Sequence, residues 1–219
     1  MLYLYAFSEP PTTLPTIAGV VGEHLSLETV DGIDAVVSVV DREAIEASEE
    51  SVLAHARVVD ELSNVNEAVV PARFGRGFGD GDSLQSAVRE REAELRAALE
   101  RVRGCVELGL RVLAPAAEEA ALPATGREYM VGRLERSRRD EAAAEELHAP
   151  LAALARDATK SLRATPQLFL SAAYLVPRGD VERFREAVRA EQEEHPDLSF
   201  ACTGPWPPYS FATAEAEES

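Results

Sequence analysis

The chain opens on an uninterrupted apolar run, Leu2-Tyr3-Leu4-Tyr5-Ala6-Phe7, closed by Pro10-Pro11. Such a run reads as a buried strand leading into a loop. A short helix is expected around Thr16 to Gly22. Two β-rich runs follow, Leu25 to Val30 and Ile33 to Val40, separated by Asp31-Gly32. Asp-Gly at such a junction predicts a hairpin, because both residues tolerate positive φ. From Ser48 to Leu62, the apolar residues Val52, Ala56, Val59 and Leu62 recur at helical spacing, so an amphipathic helix capped by Ser48 or Ser51 is expected. Ala68 to Phe74 reads as a further strand, and Pro71, which has no N–H to donate, places it at an edge or a bulge. The resulting order of strand, helix, strand, strand, helix, strand is the ferredoxin-like one.

The next helix has the clearest pattern in the chain. Leu84, Val88, Leu95, Leu99 and Val102 form one stripe among Arg and Glu residues, with Asp82 or Ser83 as the cap and Gly104 as the stop. Val106, Leu108, Leu110 and Val112 then alternate with Glu107, Gly109, Arg111 and Leu113, the period of a half-buried strand. A long helical region is expected from Arg127 to about Arg163, with a seam of Leu147, Leu151, Leu154, Ala158 and Leu162 and with Pro150 as a kink. Pro166 introduces a strand from Leu168 to Val176. A helix carrying Val181, Phe184 and Val188 leads through Pro196 to a last strand, Leu198 to Thr203.

The pattern as a whole predicts an α+β protein. A ferredoxin-like N-terminal domain occupies residues 1–70, and a second α+β domain with a helical insertion at about 127–163 occupies residues 71–211. An acidic, frayed tail covers 212–219. From Val69 onward the elements could form a second ferredoxin-like unit, with the strand near residues 66–74 shared between the halves.

Charge narrows the range of partners. The chain of 219 residues has 39 acidic and 22 basic side chains, a formal charge of −17. Residues 1–70 hold 13 acids and 2 bases, residues 71–163 hold 16 of each, and residues 164–219 hold 10 acids and 4 bases. A field of that sign repels phosphate backbones, which argues against nucleic acid or an anionic membrane as the main partner. No apolar stretch approaches the ~20 residues that a membrane helix needs. The N-terminus lacks the basic region of a signal peptide, so the expected location is the cytoplasm. Cys105 and Cys202 lie far apart in sequence. They could pair, but buried free thiols are the expected state.

Few residues point to catalysis. Phe74 to Asp82 is glycine-rich and enters a helix, yet it lacks the Lys-Ser/Thr of a P-loop and the GxGxxG spacing, and it places acids where phosphate would sit. A flexible or specially bent connection is the preferred reading. Asp80 and Asp82 lack the later ligands of a calcium loop. His24, His55, His148 and His195 are isolated, without zinc spacing. The sequence therefore predicts no catalytic, cofactor or metal residues. Arg133, Arg136, Arg138 and Arg139 are interleaved with acids, as on a solvated helix.

The least ordinary passage is Gly204-Pro205-Trp206-Pro207-Pro208-Tyr209-Ser210-Phe211. Its prolines fix an extended path, and Trp206, Tyr209 and Phe211 supply large amphipathic surfaces. The segment could clamp its own domain, or it could present these three residues to a partner. It closely resembles the C-terminal signature of the gas vesicle GvpL/GvpF family. Three further stretches agree in order: Tyr3-Leu4-Tyr5-Ala6, Val70-Pro71-Ala72-Arg73-Phe74-Gly75 and Leu170-Ser171-Ala172-Ala173-Tyr174-Leu175-Val176.

This resemblance implies a non-enzymatic accessory protein of gas vesicles, a minor vesicle component or assembly factor located with the vesicle in the cytoplasm. The implied partners are the hydrophobic shell subunit and other accessory proteins, met during nucleation. The resemblance also implies a two-domain α/β protein with a ferredoxin-like N-terminal part. A general ferredoxin-like interaction module or small-ligand-binding module is the alternative reading of the same pattern.

Overall fold

The computed structural model describes residues 1–41, 47–115, 126–161 and 168–212. The chain forms two compact units. One is Met1–Val106 together with the segment from Trp206 onward, and the other is Glu107–Pro205. Residues 71–106, which the sequence pattern assigned to the second domain, group with the first unit. The ends of the expected insertion beyond residue 161, together with Pro166 and the tail from residue 213, lie outside the described residues.

The first unit is built on an antiparallel sheet. Its strands are β1 (Leu2–Ser8), β2 (Ser26–Val30), β3 (Ile33–Val39), β4 (Val69–Pro71) and β5 (Gly77–Phe78), and its helices are α1 (Glu49–Val65), α2 (Gly81–Glu90) and α3 (Glu92–Val102). The sheet order is β2-β3-β1-β4, with β5 also paired to β1. Asp31 and Gly32 both have positive φ, +48° and +77°, and close the β2–β3 hairpin with Val30 opposite Ile33. Pro71 sits on the end strand, where its missing N–H breaks no ladder.

The helix expected at Thr16–Gly22 is reduced to a 3-10 turn, Val20–Gly22, so the connection lacks the first helix of a ferredoxin-like unit. The cause is local. Gly19 is extended, and the Val20 N–H is committed to the Tyr5 hydroxyl at 2.8 Å, not to a helical carbonyl.

In α1, Ser48 caps the helix by accepting from the Ser51 N–H at 3.2 Å. The buried face is Ser51, His55, Val58, Val59, Leu62 and Ser63; Val52, expected inside, is 43% exposed. The expected stripe is rotated because His55, though polar, points into the core and is satisfied there. The helix expected as one piece from residue 82 to 103 is broken at Arg91 (φ −116°, ψ 18°) into α2 and α3, although Leu84, Val88, Leu95, Leu99 and Val102 are all buried as expected. Its cap is Asp80, which exchanges hydrogen bonds with Ser83 in a capping box.

The second unit holds a four-stranded sheet of order β7-β8-β6-β9. Its strands are β6 (Cys105–Leu113), β7 (Asp157–Ser161), β8 (Leu168–Pro177) and β9 (Ser199–Trp206), with α4 (Gly126–Ala152) and α5 (Val181–Glu194). Val106, Leu108, Leu110 and Val112 of β6 alternate inward as predicted. Leu108, Leu110, Leu147, Leu151, Tyr174 and Phe184 centre the core. The strand near residues 66–74, expected to be shared, belongs to the first sheet as β4; the division between units falls inside β6 instead.

The expected helix to Arg163 is corrected. It ends at Ala152, the bonds from Leu154 to Leu151 and from Ala155 to Ala152 tighten its last turn, and the Arg156 N–H donates to Leu175 O at 2.8 Å to start β7 against β8. Ala158 thus sits in a strand. The pairing offered by β8 overrides the helical spacing of Leu154 and Ala158.

Candidate functional site

β9 delivers the proline-aromatic segment, and a 3-10 turn, Tyr209–Phe211, ends it. Tyr209 N–H donates to Pro207 O at 2.8 Å and Phe211 N–H to Pro208 O at 3.1 Å, so the prolines, which lack donors, serve as acceptors that fold the segment back. The turn packs against α3 and β4. Pro207, Pro208 and Phe211 are buried, and the Arg101 guanidinium lies over the Phe211 ring, 5.3 Å from its centroid. Burying a Phe side chain contributes about 1.5–3 kcal/mol. Phe211 therefore holds the segment to the unit.

The other two aromatic residues face out. Trp206 is 51% exposed and Tyr209 is 39% exposed. Burial around the Tyr209 hydroxyl, with lesser contributions from Asp60 and Tyr3, pushes its pKa up to about 12, so it stays a neutral phenol able to donate and accept. Burial also raises the Asp60 carboxyl, and Glu61 adds to the shift. Of the three residues singled out from sequence, the structure presents Trp206 and Tyr209 and commits Phe211 to the core. Phe211 is thus buried in the same short segment that leaves Trp206 and Tyr209 exposed.

Beneath the first sheet lies an aromatic group that sequence reasoning missed. His55 Nε2 faces the Ala72 carbonyl at 3.0 Å, which fixes the proton there, so Nδ1 accepts from the Tyr3 hydroxyl at 2.9 Å; that hydroxyl in turn accepts from the Gly75 N–H at 3.2 Å. Tyr5 stacks on His55, and its hydroxyl accepts from Val20 N–H and donates to Ser38 Oγ at 3.2 Å; Ser38 Oγ then donates to His24 O at 2.9 Å. The second unit repeats the pairing, with His148 Nδ1 2.9 Å from the Tyr174 hydroxyl and Tyr174 packed on Phe184. Burial lowers the pKa of both histidines, opposed at His55 by its bond to Ala72 and at His148 by Glu145. These groups help to order the cores of the two units. The signal for His55 was its register with Ser51, Val58 and Leu62 on the inward face.

The glycine-rich passage after β4 is a bent connection. Gly75 has φ +82°, and Gly77 in β5 approaches β1 so closely that a Cβ would lie 2.8 Å from Leu2 O. Cys105 and Cys202 form no disulfide, and Cys105 is buried. Among the described residues, Glu191, Glu194 and His195 bring ligand atoms within 4.8 Å of one another at the end of α5, but two of the three are exposed, as at an ordinary acidic helix end. No helix among the described residues is long and apolar enough to cross a membrane.

Known proteins match along nearly the whole chain. Gas vesicle protein F1 of Halobacterium salinarum is 30% identical over 214 residues, covering 96% of this chain and 92% of that protein. Gas vesicle protein L of a Streptomyces species is 33% identical over 190 residues, covering 75% of this chain and 70% of that protein. In fold, the crystal structure of GvpF from Anabaena sp. PCC7120 superposes with a TM-score of 0.81 at 20% identity, covering 100% of this chain and 98% of that one. GvpF from Microcystis aeruginosa gives 0.79 at 20% identity, covering 97% and 98%. The profile of the family described as gas vesicle synthesis protein GvpL/GvpF matches residues 1–213, and the chain belongs to that family.

Proposed function

We propose that this protein is a non-enzymatic accessory factor of gas vesicles, located with them in the cytoplasm, that binds the hydrophobic shell subunit and other accessory proteins while vesicles nucleate and form. The observation that carries the reading is the family match over residues 1–213. Physical chemistry supplies the mechanism. A subunit that buries its apolar faces only on polymerising is prone to aggregate while free. A companion of charge −17 keeps a joint complex soluble, and Trp206 and Tyr209 give it a reversible apolar contact.

Co-expression with a gas vesicle shell subunit, followed by pull-down and a solubility assay at low and moderate salt, tests the proposal. A soluble complex is expected, and the fraction lost to salt reports the charged part of the contact. Trp206→Ala with Tyr209→Ala is expected to fold and to lose the complex. A folded double variant that binds as well as the parent rules out the aromatic contact, and no complex with the parent rules out direct binding of the shell subunit.

A further inference from the structure

Two exposed helix faces match each other in charge and length. On α4, Arg127, Val131, Leu134 and Arg138 follow helical spacing along one face, and all four are exposed. Beside them Met130 is 63% exposed, with Val131 at 48% and Leu134 at 54%, an apolar group too concentrated to be scattered surface residues. Residues 126–140 carry five Arg and three acids, a net positive segment in a chain of charge −17.

On α1, Glu50, Leu53, Arg57 and Glu61 follow the same kind of spacing, and all are exposed. Leu53 is 47% exposed and its neighbour Val52 43%. At 1.5 Å of rise per residue, the two Arg that bracket the apolar group on α4 and the two Glu that bracket Leu53 on α1 are each about 16 Å apart along their axes. Laid antiparallel, Arg127 meets Glu61, Arg138 meets Glu50, and Leu134 meets Leu53. Arg57, the lone base on this face of α1, falls opposite Val131, where its aliphatic stem covers apolar surface while the guanidinium reaches water.

We propose that the α4 face of one copy docks on the α1 face of a second copy, so that the chain self-associates head to tail. Because the two faces differ, each new copy leaves one of each kind open and the assembly grows beyond a dimer. One pair of helices buries less than a stable interface needs, so the association is weak and concentration-dependent. Net repulsion opposes it at low salt. At physiological ionic strength that repulsion is screened beyond about 8 Å, while the apposed pairs are not.

Sedimentation velocity over a range of concentrations at moderate salt tests this. The parent's mass is expected to rise with concentration, while Val52→Glu/Leu53→Glu and Met130→Glu/Leu134→Glu each stay monomeric. Mixing the two variants is expected to give a 1:1 dimer and nothing larger, since each supplies the face the other lacks. Arg127→Glu/Arg138→Glu is expected to abolish association, and adding Glu50→Arg/Glu61→Arg to the same chain is expected to restore it, which a misfolded variant would not do. A parent that stays monomeric throughout, a variant mixture that does not pair, or a reversal that is not rescued overturns the proposal.

Discussion

The contact between Tyr5 and Gly19 permits a worked prediction. Tyr5 and Val20 are fully buried, and the Tyr5 hydroxyl is the acceptor for Val20 N–H. Tyr5→Phe orphans that N–H, at a cost of about 1–3 kcal/mol. Gly19 has an extended backbone that any residue can adopt, but a Cβ there would overlap the Tyr5 hydroxyl and stand 2.9 Å from Ser38 Oγ. Gly19→Ala is therefore an overpacking change, also worth about 1–3 kcal/mol. In the double variant the overlapping hydroxyl is gone and only the milder contacts remain. The combined loss should fall short of the sum by about 1–2 kcal/mol. Urea unfolding followed by the fluorescence of Trp206, the sole tryptophan and part of the same unit as Tyr5, measures all four corners of the cycle. Losses that add within about 0.5 kcal/mol would show that Gly19 and Tyr5 do not share this space.

The C-terminal segment gives a contrast: Phe211→Ala should cost about 3–5 kcal/mol as a fully buried aromatic, whereas Trp206→Ala should change stability by under about 1 kcal/mol, both read as urea midpoints by circular dichroism. Gly77→Ala should destabilise the first unit by about 1–3 kcal/mol and weaken hydrogen-exchange protection in β5, because its Cβ meets the Leu2 carbonyl. The buried histidines set a pH response. Their folded pKa values lie below the unfolded value of about 6.5, so the unfolded chain takes up protons first; their contribution is complete above about pH 7 and is lost as pH falls below about 6.5. Unfolding free energies measured from pH 7.5 to 5 should therefore fall on the acid side, less steeply in His55→Gln; an identical slope in that variant would remove His55 from the account.

The sequence exposed the structure best where one local rule acted alone. Asp31-Gly32 announced its hairpin because both positive φ values fall on residues that tolerate them. The stripe from Leu84 to Val102 and the alternation along β6 were legible because their periods match their burial. The misses fall where tertiary partners chose between local options. Nothing in Arg91 marks the break between α2 and α3, and the helical spacing of Leu154 and Ala158 concealed a strand that exists because β8 offers an edge. The inward turn of His55 required its acceptor Ala72, which arrives from β4's end of the chain. At the candidate site, the prolines and aromatics were visible as a group, but only the fold separates the buried Phe211 from the exposed Trp206 and Tyr209.

The most direct measurement uses the same tryptophan. With 5-fluorotryptophan incorporated, Trp206 gives one fluorine resonance whatever tryptophans a partner carries. Titration with an unlabelled gas vesicle shell subunit should shift or broaden that resonance and protect it from a soluble paramagnetic quencher, as the exposed indole becomes covered. A shell subunit that binds by sedimentation yet leaves the resonance and its quenching unchanged, or that does not bind at all, would contradict the account.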